Sequence, residues 1–582
     1  MLSYIADFET TTNPTDCRVW AYGMCEVGKP ESFVYGTSIN EFMEVCEKSL
    51  GNVKIFLHNL KFDGHFIIDF LLKSGFKHIT NSKDRDSKTF STLINDKGFF
   101  YSIEVVFMLR GKKVNKVVFW DSSKLFPMGV EKVAEAFKMP YKKLKIDYSA
   151  HDNLPIGSPL TEEELEYLKH DVFIISHAID FFQSQGFNKM TIGSNALSDY
   201  KKSIGKNKFD VLFPPLKLKY YEEMRQCYKG GFTYLVPEFE GKTINCGIVL
   251  DVNSLYPYCQ KEYTLPFGTP IFFYGDYKPD KNYPLYIIMF ECQFELKQGK
   301  LPTVQIKHSM FYQGNEYLTS SDDRIVPMCM TSTDFELFKE HYEIYNLTVF
   351  SGWKFKGKKG LFDEYIDKWN QNKIKAKEEG NPGLYTISKQ FLNSLYGKFG
   401  TSVLFQSKIP VLKNNGMIQY KLGEFEEGSG VYIPMAAFIT SYARAKTIKS
   451  AQNIVDDYNS GKSDIQFVYA DTDSLHCISP NFEMPSGLDI HDTELGAFKL
   501  ETKFKRAKYL RQKCYIQDST TDFISENPEY KLKVVISGLP EECSEQVTFK
   551  NFKYGATYTS KKHPEIVPGG IVLKNIDFTI LP

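Results

Sequence analysis

The chain has 582 residues and a mass of 67.1 kDa, a length that suggests about four domains. Apolar residues make up 42% and charged residues 24%, and Lys plus Arg equals Asp plus Glu at 71 each. A net charge of zero excludes a disordered polyelectrolyte, a histone-like basic protein and a long charged tail, and taken alone it counts against nucleic-acid binding. The 36 Tyr and 47 Phe favour large packed cores, stacking surfaces, or both. Eleven cysteines are scattered, odd in number and without a C-x-x-C pair, which points to buried thiols in a reducing, intracellular compartment. The N-terminal segment carries acids at Asp7 and Glu9 and lacks the basic and apolar regions of a signal peptide. No apolar run reaches the ~18 residues of a membrane span.

The first 190 residues alternate strand and helix patterns, an α/β arrangement. Tyr4 to Phe8 and Lys54 to Leu57 read as strands. Gly64 to Ser74 reads as a helix on the spacing of Phe66, Ile67, Phe70 and Leu71. After a polar loop at Asn153 to Pro159, Thr161 and Glu164 form a capping-box pattern opening a helix from Glu162 to Phe182. Ile248 to Asp251 is a buried-type strand. Residues 263 to 350 show short β-like runs broken by Pro and Gly. Leu361 to Phe399 reads as two helices joined at a tip, Gly380-Asn381-Pro382-Gly383. Residues 400 to 432 read as a β-hairpin, and Met435 to Tyr458 as a helix. Gln466 to Tyr469 and Ser474 to Ile478 read as strands around an acidic turn. There are no internal repeats.

Two acidic constellations stand out. At a strand end, Asp7 and Glu9 share one face while Phe8 points to the core. Asn59 and Asp63 lie four residues apart, as do Tyr167 and Asp171 on one helical face. Three segments could so bring acids to one site, the donor set of two-metal phosphodiester hydrolysis with ions about 3.5–4 Å apart. For Asn59, a turn-forming role is the competing reading. The second set is Asp251, at the end of an apolar strand, with Asp471 and Asp473 in an Asp-Thr-Asp turn. An Asp at such a strand end is costly unless it binds something, although a lone Asp-Thr-Asp is more simply a hairpin turn. Between them Lys389, Asn393 and Tyr396 line one helical face. That face suits a nucleoside triphosphate, or is an ordinary amphipathic surface with a snorkelling lysine.

D-x-x-S-L-Y-P at Asp251 to Pro257, K-x-x-x-N-S-L-Y-G at Lys389 to Gly397 and Y-x-D-T-D-S at Tyr469 to Ser474 resemble family B DNA polymerases. D-F-E-T-T-T at Asp7 to Thr12 and H-N-L-K-F-D-G at His58 to Gly64 look like their 3′–5′ proofreading exonuclease. Y-x-G-G at Tyr228 to Gly231, T-x-x-A-R at Thr440 to Arg444 and K-x-Y at Lys513 to Tyr515 complete an ordered set. The chain is most similar in wording and length to the protein-primed branch of tailed bacteriophages.

The resemblance implies an α/β and α+β multidomain fold: an RNase H-like exonuclease domain, then a right-hand palm, fingers and thumb with two protein-priming insertions. The implied ranges are exonuclease 1–191, palm 192–262 and 433–535, first insertion 263–360, fingers 361–400, second insertion 401–432 and thumb 536–582. The first insertion would contact the priming protein. The second would encircle template and product, supporting processivity and strand displacement.

Site roles follow from the same resemblance. Asp251 and Asp473 would hold two Mg²⁺ ions (Mn²⁺ as an alternative), with the Val252 carbonyl as a further ligand and Asp471 close by. Tyr256 would lie under the incoming sugar and exclude a 2′-OH. Lys373 and Lys389 would hold triphosphate oxygens, with Tyr396 and Asn393 on the same nucleotide face. Asp7, Glu9, Asp63 and Asp171 would be exonuclease carboxylates, the first two and Asp171 as metal ligands, assisted by Tyr167 and Lys143. Thr10, Asn59 and Phe62 would grip single-stranded DNA. Tyr228, Gly230, Gly231, Thr440, Arg444, Lys513 and Tyr515 would contact DNA, Lys513 at the primer end.

The sequence departs from relatives at Lys145, where some carry an acid (the next acid here is Asp147), and at Tyr385, where a second fingers lysine is usual. The implied protein replicates a viral genome from dNTPs on template–primer DNA in the cytoplasm of an infected bacterium. It would be primed by a terminal protein, be bound to no membrane and be monomeric outside the priming complex. The alternatives are an exonuclease with an inactive polymerase half, or a non-catalytic single-strand-binding protein. Both acid sets being complete favours the polymerase. The neutral total hides local charge: seven basic residues and one acid from Lys499 to Lys513, eight and three from Trp353 to Lys377, seven acids and one Lys from Asp147 to Asp171.

Overall fold

The computed structural model describes residues 2–48, 51–111, 113–525 and 527–582. The ranges 1–191 and 433–535 thus each include positions outside the described residues: Met1, Ser49, Leu50 and Lys112 in the first, Glu526 in the second.

The N-terminal sheet has eight described strands in the order Lys29–Gly36, Val19–Glu26, Leu2–Thr10, Val53–Leu57, Lys113–Asp121, Phe100–Arg110, Thr89–Ile94, Lys77–His78. Leu2–Thr10 and Lys113–Asp121 both pair in parallel with Val53–Leu57. These inner strands are apolar on both faces because both are covered. Ile5 and Phe56 face the layer containing Val172, Ile175 and Ile179 of helix Glu162–Ser184. Ala6, Ile55 and Leu57 face Phe66, Ile67 and Leu71 of helix Leu60–Lys73. The capping box at Thr161 and Glu164 is formed.

A second sheet is antiparallel throughout, in the order Lys531–Ile536, Cys514–Thr520, Phe498–Arg511, Thr243–Val252, Ser474–Ile478, Gln466–Asp471, Thr233–Leu235. Helix Ile433–Asn459, buried along most of its length, packs behind it. Residues 265–358 form a four-stranded sheet with helix Ser332–His341 packed over it. The 17-residue strand Tyr342–Lys358 at its centre is longer than the short runs expected there.

Helices Asp363–Glu378 and Pro382–Phe399 meet at the Gly380 tip, where Gly380 has φ +65° and the Asn381 side chain accepts from Leu384 N–H. Strands Leu404–Leu412 and Ile418–Glu427 form the expected hairpin. A second hairpin, Thr557–Val567 with Gly570–Thr579, ends the chain. Both reach the first domain: Ile418, Val567, Ile571 and Val572 are buried in the same core as Ile55 and Phe66. The eleven cysteines are free thiols. Among the described residues no helix is long and apolar enough to cross a membrane.

Candidate polymerase and exonuclease sites

The first site is a cleft of about 820 Å³ at the end of strand Leu2–Thr10. Strand alternation buries Phe8 and turns Asp7 and Glu9 into the cleft, as expected. Helix Glu162–Ser184 brings Asp171, and ligand oxygens of Asp7, Glu9 and Asp171 lie within 4.8 Å of one another. Asp63, in the first turn of helix Leu60–Lys73, lines the same cleft and is 3% exposed. Burial, and then repulsion by Asp171, pushes the Asp7 carboxyl up to about 7. Burial and the neighbouring acids hold Glu9 and Asp63 well above the usual carboxylate range. Buried carboxylates repelling one another at this range are a hard-oxygen donor set that fits divalent cations.

Lys143 is the nearest counter-charge. It pairs with Asp171 and donates to the Tyr167 hydroxyl at 3.0 Å. Burial opposes its charge, but Asp171 holds its pKa above the ordinary lysine value. Tyr148, absent from the residues expected at the site, joins its hydroxyl to that of Tyr167 at 3.2 Å. Thr10, Asn59 and Phe62 also line the cleft. Asn59 has φ +71° and makes no side-chain cap, so the turn reading and the cleft position hold together. At the departure from the family pattern, Asp147 faces the cleft, and its carboxylate accepts from Ser149 N–H and Oγ–H. Lys562, Leu573 and Asn575 of the C-terminal hairpin form the opposite wall. No local pattern marks them, because only the tertiary fold brings residues so distant in sequence there.

The second site lies at one end of the second sheet. Cross-strand register sets Asp251 opposite Ser474, which is itself opposite Asp471. Thr472, at φ +65°, makes the tight turn between Asp471 and Asp473. That turn is held on three sides: Thr472 N–H donates to Phe232 O at 2.7 Å, Thr447 Oγ1 to Thr472 O at 2.8 Å, and Val252 N–H to Asp473 O at 2.8 Å. Burial, and then the neighbouring Asp251, pushes Asp473 up to about 6, and burial also raises Asp251. The neighbouring carboxylates of Asp251 and Asp473 suit a divalent cation, without the cluster of three carboxylates within 4.8 Å found in the cleft. Two lysines sit against the acids: Lys499 Nζ is 3.3 Å from Asp251 Oδ2, and Lys513 Nζ is 2.7 Å from Asp471 Oδ1. Lys499 was visible in sequence only as part of a basic stretch. Its register opposite Asp251 needs the strand pairing.

Across from the acids, Lys389 and Asn393 are exposed on helix Pro382–Phe399 and Tyr396 is half-buried, one face as the spacing implied. The Tyr396 ring stacks on Tyr256 with centroids 4.0 Å apart and planes at 21°. Lys373 on the partner helix is half-buried, and its pKa is lowered by burial and then by the Lys389 and Lys499 ammonium groups. Tyr385 is half-buried on the same helix as Lys389.

The Y-x-G-G segment runs beside the acidic turn. A side chain at Gly231 would have its Cβ 2.6 Å from Thr472 Cγ2, so this close approach requires glycine. Gly230 is exposed, while Tyr228 is half-buried against Gly400 at the end of helix Pro382–Phe399.

Three residues expected to contact DNA, Thr440, Arg444 and Tyr515, are buried. Thr440 is 1% exposed and bonds back to Ala436 O and Ala437 O of its own helix. Arg444 is 6% exposed, and all five of its N–H groups are used internally, by Asp334, Ser441, Lys229 O and Gly230 O. No donor remains for a phosphate. Tyr515 is buried among Tyr469, Tyr509 and His476, and burial, then the nearby Asp471, raises its pKa.

A family model described as DNA polymerase type B, organellar and viral, matches residues 47–158 and 155–486. The DNA polymerase of Bacillus phage phi29 is 42% identical over 588 aligned residues, covering 99% of this chain and 98% of that protein. The DNA polymerase of Streptococcus phage Cp-1 is 32% identical over 598, with 99% and 98% covered. The solved structure of phi29 DNA polymerase with primer-template DNA and incoming nucleotide is 41% identical, superposes with a TM-score of 0.92 and is covered in full, as is this chain. The same polymerase with single-stranded DNA gives 39% identity and a TM-score of 0.91. With its motifs in order, its two acid sets assembled and full-length likeness to these enzymes, the chain belongs to the type B DNA polymerase family and is a DNA polymerase.

Proposed function

We propose that the sheet site built on Asp251, Asp471 and Asp473 performs template-directed dNMP transfer, and that the cleft of Asp7, Glu9, Asp63 and Asp171 removes mispaired 3′ ends. The observation that carries this reading is that two separate carboxylate sets each stand at a strand end with lysines beside them. Phosphate binding alone would disfavour carboxylates at both places.

Asp251, Asp473 and the Val252 carbonyl would hold Mg²⁺ in one site, with Mn²⁺ as an alternative, and Asp7, Glu9 and Asp171 in the other. When bound, the ions activate the nucleophile and stabilise the leaving oxygen. The protein's own groups do the positioning. Lys389 and Lys373 neutralise the triphosphate, and Tyr256 stands under the sugar where a 2′-OH would collide with it. Asn393 and Tyr396 frame the nascent pair, and Lys513 reaches the primer end. In the cleft, Lys143 orients Asp171, and the Tyr148–Tyr167 hydroxyl pair orients the attacking water. Thr10, Asn59 and Phe62 hold the frayed strand, and Tyr228, Gly230 and Gly231 guide it past the acidic turn.

The domain ranges of the sequence reading, 1–191, 192–262, 263–360, 361–400, 401–432, 433–535 and 536–582, are proposed with the same names. The bound substrates are template–primer and single-stranded DNA. Initiation uses a hydroxyl of a terminal protein seated on the first insertion, and the hairpin at 401–432 supports strand displacement. The enzyme acts as a monomer in the cytoplasm of the host bacterium. A primed single-stranded template with Mg²⁺ tests the reading directly. Extension with dNTPs and shortening without them support it, and failure of either activity overturns the corresponding site.

A further inference from the structure

Lys499 has no role in the assignments above. It lies on strand Phe498–Arg511 directly opposite Asp251, so the two side chains share one face of the sheet. Its ammonium sits 3.3 Å from Asp251 Oδ2 with 38% of its side chain exposed, against 25% for Asp251. It therefore has room to move. Two residues on, Glu501 adds negative field at both Asp251 and Asp473. On its other side are the fingers lysines, whose Lys373 feels both Lys389 and Lys499. Lys499 thus stands between a group of acids that calls for cations and a group of lysines that calls for an anion.

We propose that Lys499 is the resting counter-ion of the nucleotidyl-transfer site. It holds Asp251 Oδ2 in the metal-free enzyme and passes to the triphosphate of an incoming nucleotide when that oxygen takes a divalent cation. Cation and nucleotide then bind cooperatively, each helping the other by the same factor. The inference rests on the assignment of Asp251 to the metal site.

The test is Mn²⁺ binding, followed by electron paramagnetic resonance of the free ion, to full-length protein in an Asp7→Ala, Glu9→Ala background that silences the cleft. Lys499→Met removes the charge, Lys499→Gln does so with a shorter polar chain, and Lys499→Arg keeps it. Both neutral variants should bind Mn²⁺ about 3–10-fold more tightly without nucleotide, the range expected for a half-exposed charge at this distance. Lys499→Arg should match the parent. Added dNTP should tighten Mn²⁺ binding less in the neutral variants than in the parent, and their KM for dNTP should rise more than kcat falls. Unchanged Mn²⁺ affinity in both neutral variants overturns the proposal, as does equal tightening by dNTP in all four proteins. Asp251→Ala separates the two readings. If it still incorporates nucleotides, the site assignment fails. If it is inactive while Lys499→Met binds Mn²⁺ like the parent, only the role of Lys499 fails.

Discussion

Arg444 on helix Ile433–Asn459 and Asp334 on helix Ser332–His341 form a bidentate ion pair, with Nη2 2.6 Å from Oδ2 and Nε 3.2 Å from Oδ1. Through its other donors Arg444 also holds the carbonyls of Lys229 and Gly230. One side chain therefore ties together three segments around the acidic turn. Despite burial, Arg444 holds the Asp334 carboxyl below the usual range. Removing one partner strands a buried charge, so Arg444→Leu or Asp334→Leu should cost about 3–5 kcal/mol of stability. The Arg444→Met, Asp334→Leu double variant should recover part of it. Urea unfolding measures both, and a loss under 1 kcal/mol in the single variants would rule out the anchoring role. Because the folded pKa of Asp334 is depressed, its contribution is present at neutral pH and is lost as pH falls through that pKa.

Asp251→Ala or Asp473→Ala should abolish incorporation and leave degradation of single strands intact. Asp7→Ala with Glu9→Ala should do the reverse. Losses should exceed about 10³-fold, since removing ligands of the reacting centre removes transition-state stabilisation. Joint loss of both activities in each well-folded variant would refute two separate sites.

The raised acids should make metal-free protein lose stability as pH rises from acid to neutral. Asp7 titrates near 7 when folded, against an ordinary value of 3.8, and Asp473 near 6. Between the ordinary and raised values the folded state binds more protons than the unfolded one, so stability falls as pH rises through about 4 to 7. In EDTA, Tm should drop over that window by a few degrees more than in Asp7→Asn, and Mg²⁺ should restore more stability at pH 8 than at pH 5. Parallel pH profiles for the two proteins would count against shared burial of these acids.

Tyr256→Val should relax discrimination between dNTPs and rNTPs by at least about tenfold if the Tyr256–Tyr396 stack, which lies near Asp473, takes the sugar role proposed for it. Single-nucleotide incorporation with matched dCTP and CTP reads the ratio directly, and an unchanged ratio would remove the sugar-gate role.

Deleting residues 405–427 should shorten products on primed single-stranded circles and abolish strand displacement while leaving distributive extension. The hairpin makes an isolated bridge from Ser407 to Asn95 and sets the Tyr420 ring 5.6 Å from His65. Its loss therefore also removes these contacts with the first domain. A fully processive deletion variant would refute its role in holding template.

The sequence and the structure agree most closely where chemistry is local. The capping box at Thr161, the tip at Gly380 to Gly383 and the strand alternation at Asp7-Phe8-Glu9 depend on neighbours a few residues away, and each formed as its spacing implied. Asp7, Glu9, Asp251 and Asp471 were legible as acids at or near the ends of apolar strands, and Asp63 and Asp171 by their four-residue spacing from Asn59 and Tyr167 on helices. What escaped depends on pairing across the fold. The Lys499–Asp251 register, the Tyr148–Tyr167 bond and the wall given by Lys562, Leu573 and Asn575 have no signature in a single segment. Arg444 shows the opposite failure. An arginine in a DNA-polymerase motif suggests phosphate, yet its guanidinium is saturated by an internal carboxylate and two carbonyls.

The C-terminal hairpin has a consequence for how the protein comes into being. Val567, Ile571 and Val572 complete a core whose other buried members, Ile418 apart, lie in the first 120 residues, and the thiol of Cys17 donates to Ile571 O at 3.6 Å. A chain leaving the ribosome thus makes its nuclease lobe first but cannot close that lobe until the hairpin Thr557–Val567 and Gly570–Thr579 has been made. Until then an apolar face stays open, exposed to chaperones and to other nascent chains. A nuclease fragment ending near residue 191 would keep that open face permanently. In folding terms, proofreading in this enzyme waits on the hairpin Thr557–Val567 and Gly570–Thr579.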